Sequence, residues 1–194
     1  MSENTQFARL VSLACHDIRT PLATVHGFAR TLTRLEELDE PAARYVGMIE
    51  AASAQIAELV DELGLVARIE AARYDPTLRD VDSLELARGA AERLAAERVR
   101  VDGSGAAVRV DVAAVDRGIA ALVQAALRHG GLEHVDVRVD GPEIRVTPVT
   151  EASGPVVTGE DLRDLGAAAA VRLLGALGGS VEVDGESLRI RLPQ

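Results

Sequence analysis

Tryptophan and lysine are both missing from the 194-residue chain, and phenylalanine and tyrosine contribute two residues each. With aromatics at 2% of a composition that is 47% hydrophobic, a core has to be built from Leu, Val, Ile and Ala. The single cysteine, Cys15, excludes an intramolecular disulfide, and no CxxC or Cys/His cluster offers a structural metal site. No apolar run approaches the roughly 18 to 20 residues of a membrane span. The opening residues, MSENTQ, are polar rather than signal-like. There is no basic run, and the net charge of -10 argues against binding to nucleic acid or an anionic membrane. A GxxxxGK[ST] phosphate loop is also missing. These absences leave a globular chain with an acidic surface, expected in the cytoplasm and long enough for one or two domains. With Met1 as its start, the chain is expected to carry no sensing domain upstream.

What is present begins with a regular helix. From Phe7 to Leu35, apolar or small residues recur at Phe7, Leu10, Ala14, Ile18, Leu22, Val25, Ala29 and Leu32. That is the three-and-four spacing of one buried helical face. Embedded in it is HDIRTPL, residues 16–22. At about 100° per residue, His16 falls about 200° from Ile18 and about 240° from Leu22, so its imidazole points away from the stripe. Thr20 returns to within about 40° of His16 one turn on, and Asp17 is its neighbour. An imidazole, a carboxylate and a hydroxyl therefore share one exposed patch. Pro21 removes a helical hydrogen bond and crowds the carbonyl of Asp17, at a cost of roughly 3 kcal/mol in an ordinary helix. A kink is expected beside His16.

Glu36 to Pro41 reads as a turn, with Asp39 placed to cap a second helix and Pro41 early enough for its missing N–H to be harmless. In that helix Ile49, Ile56 and Leu63 are spaced by seven, as are Tyr45, Ala52, Leu59 and Val66. Each helix is on the order of 45 Å long. An antiparallel hairpin cannot bury two such stripes alone, so two chains are expected to pair as a homodimeric four-helix bundle. Packing of the hairpin on its own C-terminal half is the alternative. Residues 1–74 form this helical domain, 75–80 around Asp75-Pro76 read as a linker, and 81–194 form a second domain.

Beyond the linker the periodicity becomes mixed. Asp82 or Ser83 can cap a helix through Leu94, followed by a strand at 99–101, a turn at 103–105 and a strand at 108–112. A helix over about 113–128 follows, stopped by Gly130-Gly131. Val135, Val137 and Val139 alternate, Asp140-Gly141 is a hairpin turn, and Ile144 and Val146 alternate again. A helix over about 159–177 precedes a last hairpin, with Val181 and Val183, a turn at Asp184-Gly185, then Leu188, Ile190 and Leu192. An all-helical start followed by mixed elements gives an α+β chain whose second domain is a two-layer α/β sandwich.

HDIRTPL closely resembles the H-box of sensor histidine kinases, in which a phosphoacceptor His is followed by an acidic residue, an apolar residue, Arg, Thr, Pro and Leu. Phe7 and Gly27-Phe28 also sit where that family places such residues. Cys15, where a small residue is usual, is the departure. The resemblance implies a dimerisation and phosphoacceptor domain with His16 on the outside of the bundle. The second domain resembles the family's ATP-binding domain. RGIAALVQAALRHGG at 117–131 looks like the helix of the asparagine box, and LGAAAAVRLLGALGGSVEV at 165–183 looks like the second glycine box with its following strand.

Nucleotide binding in that family needs an Asn for magnesium, an Asp in a DxGxG loop for adenine, and glycines that approach the phosphates. The aligned asparagine positions are Ala121 and Ala125 here, and Ile144–Val146 run into Thr147-Pro148-Val149 with no DxGxG. Of the second glycine box only Leu165-Gly166 survives, and the segment before Asp164 is too short for a full lid. ATP-driven autophosphorylation is not expected, and no cofactor or metal is expected in this chain. Gly103-Ser104-Gly105 reads as a turn. His129 and His134, with no Cys or carboxylate at metal spacing, and His26 read as surface or packing residues.

The resemblance therefore implies a histidine phosphotransferase of two-component signalling, relaying phosphoryl groups between response-regulator receiver domains, with magnesium on the receiver. His16 would be the nucleophile, and Asp17 would hold its other ring nitrogen. Thr20 would position a water when the partner is dephosphorylated. Arg19 would offset a phosphoryl group carrying roughly -1.5 to -2 charges, and Pro21 would loosen the turn. The alternatives are a divergent kinase with residual ATP-dependent autophosphorylation and a docking scaffold that needs no chemistry at His16.

Overall fold

The computed structural model describes residues 3–34, 38–94 and 96–193. The chain divides into two compact units, Met1–Tyr74 and Asp75–Gln194. In the first, α1 (Glu3–Thr33) and α2 (Glu40–Glu70) form a hairpin. Asp39 caps α2 by accepting the Ala42 N–H at 2.8 Å, and Pro41 sits in the first turn. Glu36 and Glu37 of the expected turn lie outside the described residues. Helix α1 continues through Pro21.

The seam between the helices is built from small side chains. Ala8, Cys15 and Ala29 of α1 are buried, as are Ser53, Gly64 and Ala67 of α2, with Val60 the one larger side chain among them. A Cβ added at Gly64 would lie 3.6 Å from that of Cys15, in ordinary van der Waals contact, so the backbones approach closely there. The large side chains of the expected stripe, Phe7, Leu10, Ile18, Val25 and Leu32, stay exposed in the single chain, Phe7 by 66%. So do Ile49, Ile56 and Leu63 of the heptad. Small residues draw the two helices together, which leaves the bulky apolar faces outside the hairpin.

The second unit comprises β1 (Arg79–Asp82), α3 (Ser83–Glu92), a short 3-10 turn (Ala96–Arg98), β2 (Val99–Gly105), β3 (Ala107–Val110) and α4 (Val112–Gly130). It continues with β4 (Val135–Gly141), β5 (Glu143–Thr147), α5 (Gly154–Val157), α6 (Leu165–Ala176), β6 (Ser180–Asp184) and β7 (Ser187–Arg191). One sheet has the order β2-β4-β5-β7-β6, with β2 and β4 parallel and the other pairs antiparallel; β1 and β3 form a separate antiparallel pair. Val135, Val137, Val139, Ile144 and Val146 are buried, as are Ile119, Leu122 and Leu173 of the helices, while alternate strand residues such as Arg138 and Arg145 stay exposed. This is the two-layer α/β arrangement of an α+β chain.

Three expected boundaries move. β1 begins at Arg79, inside the segment read as linker, because polar RDVD gains its strand identity only by pairing with β3. Residues 103–105 are not a turn but the end of β2, with Gly103 opposite Val139 and Gly105 opposite Gly141. Gly103 has φ +110° and a Cβ there would fall 2.0 Å from the Val139 carbonyl oxygen, so glycine is demanded by backbone crowding within the sheet. The helix read over 159–177 starts only at Leu165, where Asp164 caps it, and Gly159 lies before it at φ +74°. No helix among the described residues is long and apolar enough to cross a membrane.

On the open face of the sheet Glu143 gathers three arginines, with Arg145 at 2.5 Å, Arg189 at 3.5 Å and Arg191 at 3.6 Å. The Arg145 hydrogen bond, backed by the charges of all three, outweighs partial burial and holds the Glu143 carboxyl below its ordinary value. A depressed folded-state value means that this contribution to stability is complete above the unfolded value of about 4.3 and is lost as pH falls through the folded one. Urea melts at falling pH are expected to show a loss of stability below about pH 4.3 that is smaller in Glu143→Gln.

Candidate functional site

Helix α1 carries His16 outward, with its side chain 75% exposed and that of Asp17 68% exposed. His16 Nδ1 lies 3.2 Å from Asp17 Oδ1. A carboxylate that accepts this contact makes Nδ1 the donor, and the rest of the ring is open to solvent. The adjoining Cys15 is buried in the seam, which anchors the backbone beside the imidazole. Thr20 is exposed one turn on, and its carbonyl accepts the Thr24 hydroxyl at 3.2 Å. His16, Asp17 and Thr20 thus occupy one open patch.

Arg19 is committed elsewhere. Its Nη2 and Nε donate to Asp61 Oδ1 of α2 at 2.6 and 3.2 Å. His26 is half-buried, with Nδ1 3.0 Å from the hydroxyl of buried Ser53 across the seam. His134 is exposed, as expected.

His129 packs partly buried, as a packing residue would, and has a carboxylate partner distant in sequence. Its Nε2 is 3.1 Å from Asp164 Oδ2, and Arg128 Nη1 is 3.4 Å from the same oxygen. Asp164 is buried, and its Oδ1 accepts the Ala167 N–H at 3.1 Å. The N-terminus of α6 therefore already holds a carboxylate of this chain, met by Arg128, the His129 ring and a backbone donor. On α4, Ala125 is fully buried and presents only a methyl group. Beside the segment after β5 lies a cavity of about 1060 Å³ lined in part by Glu151, Glu160, Glu182 and Glu186, with no arginine in its lining among the described residues. No group of three or more potential metal ligands occurs among the described residues.

Residues 8–72 match the family model of the His Kinase A (phospho-acceptor) domain. The match covers a third of the chain, and over it the helical hairpin is similar to that phosphoacceptor domain. It is 30% identical over 78 residues to the sensor protein DivL of Caulobacter vibrioides, a stretch covering 40% of this chain and 10% of DivL. The crystal structure of full-length ShkA in complex with AMPPNP superposes with a TM-score of 0.68 at 21% identity, over 94% of this chain and 44% of that one. The histidine kinase AdeS of Acinetobacter baumannii gives a TM-score of 0.57 at 14% identity, over 92% of this chain and 98% of that one. The chain thus spans about a tenth of DivL and less than half of ShkA. At these identities the likeness to solved structures establishes the fold, a helical hairpin followed by an α/β unit matching histidine kinase catalytic domains.

Asp61 and Asp164 escaped the sequence reading because their partners lie 42 and 35 or 36 residues away. The only local signal was Asp164 standing before Leu165-Gly166 as a potential cap. Replacing Asp164 by Ala removes that cap, worth roughly 0.5–2 kcal/mol, and strips His129 of its acceptor. A lower urea midpoint at unchanged slope is expected, with Asp164→Asn, which retains a capping oxygen, losing less.

Proposed function

We propose that the chain is a histidine phosphotransferase that relays phosphoryl groups between response-regulator receiver domains through His16. The observation that carries this reading is the exposed imidazole whose Nδ1 is held by Asp17. Nε2 attacks the phosphorus of a receiver's aspartyl phosphate; the N–P bond forms, the P–O bond breaks, and the carboxylate leaves on the receiver. The proton stays on Nδ1, where the Asp17 carboxylate offsets the imidazolium charge. Transfer onward reverses these steps. Thr20 positions a water when the receiver is dephosphorylated instead. The magnesium belongs to the receiver.

The exposed apolar stripes of α1 and α2 support a homodimer, in which Leu10, Ile18, Ile49, Ile56 and Leu63 are covered by a second hairpin. The α/β unit does not fit a magnesium nucleotide. Phosphates brought to the N-terminus of α6 would meet the Asp164 carboxylate, glutamates line the cavity beside the segment after β5, and methyl groups stand at Ala121 and Ala125 where a metal-holding asparagine would be needed. In this reading the unit serves to grip the receiver.

Receiver domains charged with radiolabelled acetyl phosphate are expected to pass label to the wild-type chain and not to His16→Ala. Label reaching His16 from ATP alone would instead make the chain a divergent kinase. A biological role unchanged in His16→Ala would make it a scaffold.

A further inference from the structure

Arg19 stands three residues after His16 on α1, about 60° round the helix and about 4.5 Å along it, so its long side chain can reach the space in front of the imidazole. It is turned instead to α2, where both contacts, at 2.6 and 3.2 Å, fall on the single oxygen Oδ1 of Asp61. This is not the two-oxygen fork that a guanidinium makes with its best partners. The side chains are 46% and 63% exposed, and an exposed ion pair carries a factor of at most about five. A phosphoryl group on His16 would bring roughly -1.5 to -2 charges and three acceptor oxygens to the same neighbourhood. Such a group is the stronger acceptor, so the exchange is downhill.

We propose that Asp61 is a positioning residue for the chemistry at His16: it holds the Arg19 guanidinium on α2 while the imidazole is bare and yields it once the N–P bond has formed. The proposal rests on the phosphotransfer reading above. Asp61 touches no reacting atom. It weakens the net stabilisation of phosphohistidine, because Arg19 must leave one anion to reach the other, and so keeps the phosphoryl group transferable in both directions.

The test is the equilibrium share of label between a charged receiver domain and this chain, with circular dichroism and thermal melting confirming that each variant folds. Asp61→Asn frees Arg19 and is expected to move the share toward phosphohistidine by about two- to fivefold. Arg19→Ala moves it the other way, and Asp61→Glu, which retains the carboxylate, stays near wild type. In the Arg19→Ala background, Asp61→Asn is expected to change nothing. A shift that persists there would mean that the Asp61 charge acts directly on the phosphoryl group and would overturn the proposal, as would no shift in Asp61→Asn alone. If no receiver charges the wild-type chain, the phosphotransfer reading falls and takes this proposal with it; if wild type is charged and the Asp61 variants match it, only the role of Asp61 falls.

Discussion

The hairpin depends on the meeting of Cys15 with Gly64, where α1 and α2 come close enough for small side chains to fill the seam. Ala8, Ala29, Ser53, Val60 and Ala67 are buried with them along the hairpin. The close approach buries the residue just before His16, and so fixes the backbone from which the imidazole projects. It also brings Arg19 within reach of Asp61. And it turns Leu10, Ile18, Ile56 and Leu63 outward, leaving apolar surface that no part of the hairpin covers. A side chain larger than that of alanine at position 64 would have to shift the Cys15 side of the seam, and with it the presentation of His16.

A different economy of charge shapes the α/β unit. Asp164 accepts from Ala167, His129 and Arg128 together, so a buried carboxylate satisfies the start of α6 from within the chain. A helix N-terminus attracts anions of any kind, and one that supplies its own has less to offer a phosphate. The proposed loss of nucleotide chemistry thus has a physical form beyond missing motif residues. The sheet beneath is the same two-layer frame seen in ShkA and AdeS. A fold can persist after a site on it has been rebuilt.

Local chemistry was legible and long-range pairing was not. Asp39 and Asp82 could be read as caps because a cap acts within three residues. The His16–Asp17 contact was legible for the same reason, being between neighbours on one helix. The Val135 to Val139 alternation declared its strand unaided. β1 did not, because RDVD shows no apolar alternation and exists only against Ala107–Val110. Gly103 misled, since glycines in a polar run usually mark a turn, whereas here the crowding carbonyl of Val139 explains the residue. The heptad stripes were found correctly as apolar faces, but in the single chain small residues rather than those stripes bring the helices together. Periodicity identifies a face without saying what covers it.

Whether phosphorus can enter this chain from a nucleotide separates a relay from a kinase. Calorimetric titration of the full chain with magnesium-ATP, and with ADP, measures that directly. No saturable heat is expected up to millimolar nucleotide. A stoichiometric binding isotherm, with Asp164 still in place, would contradict it.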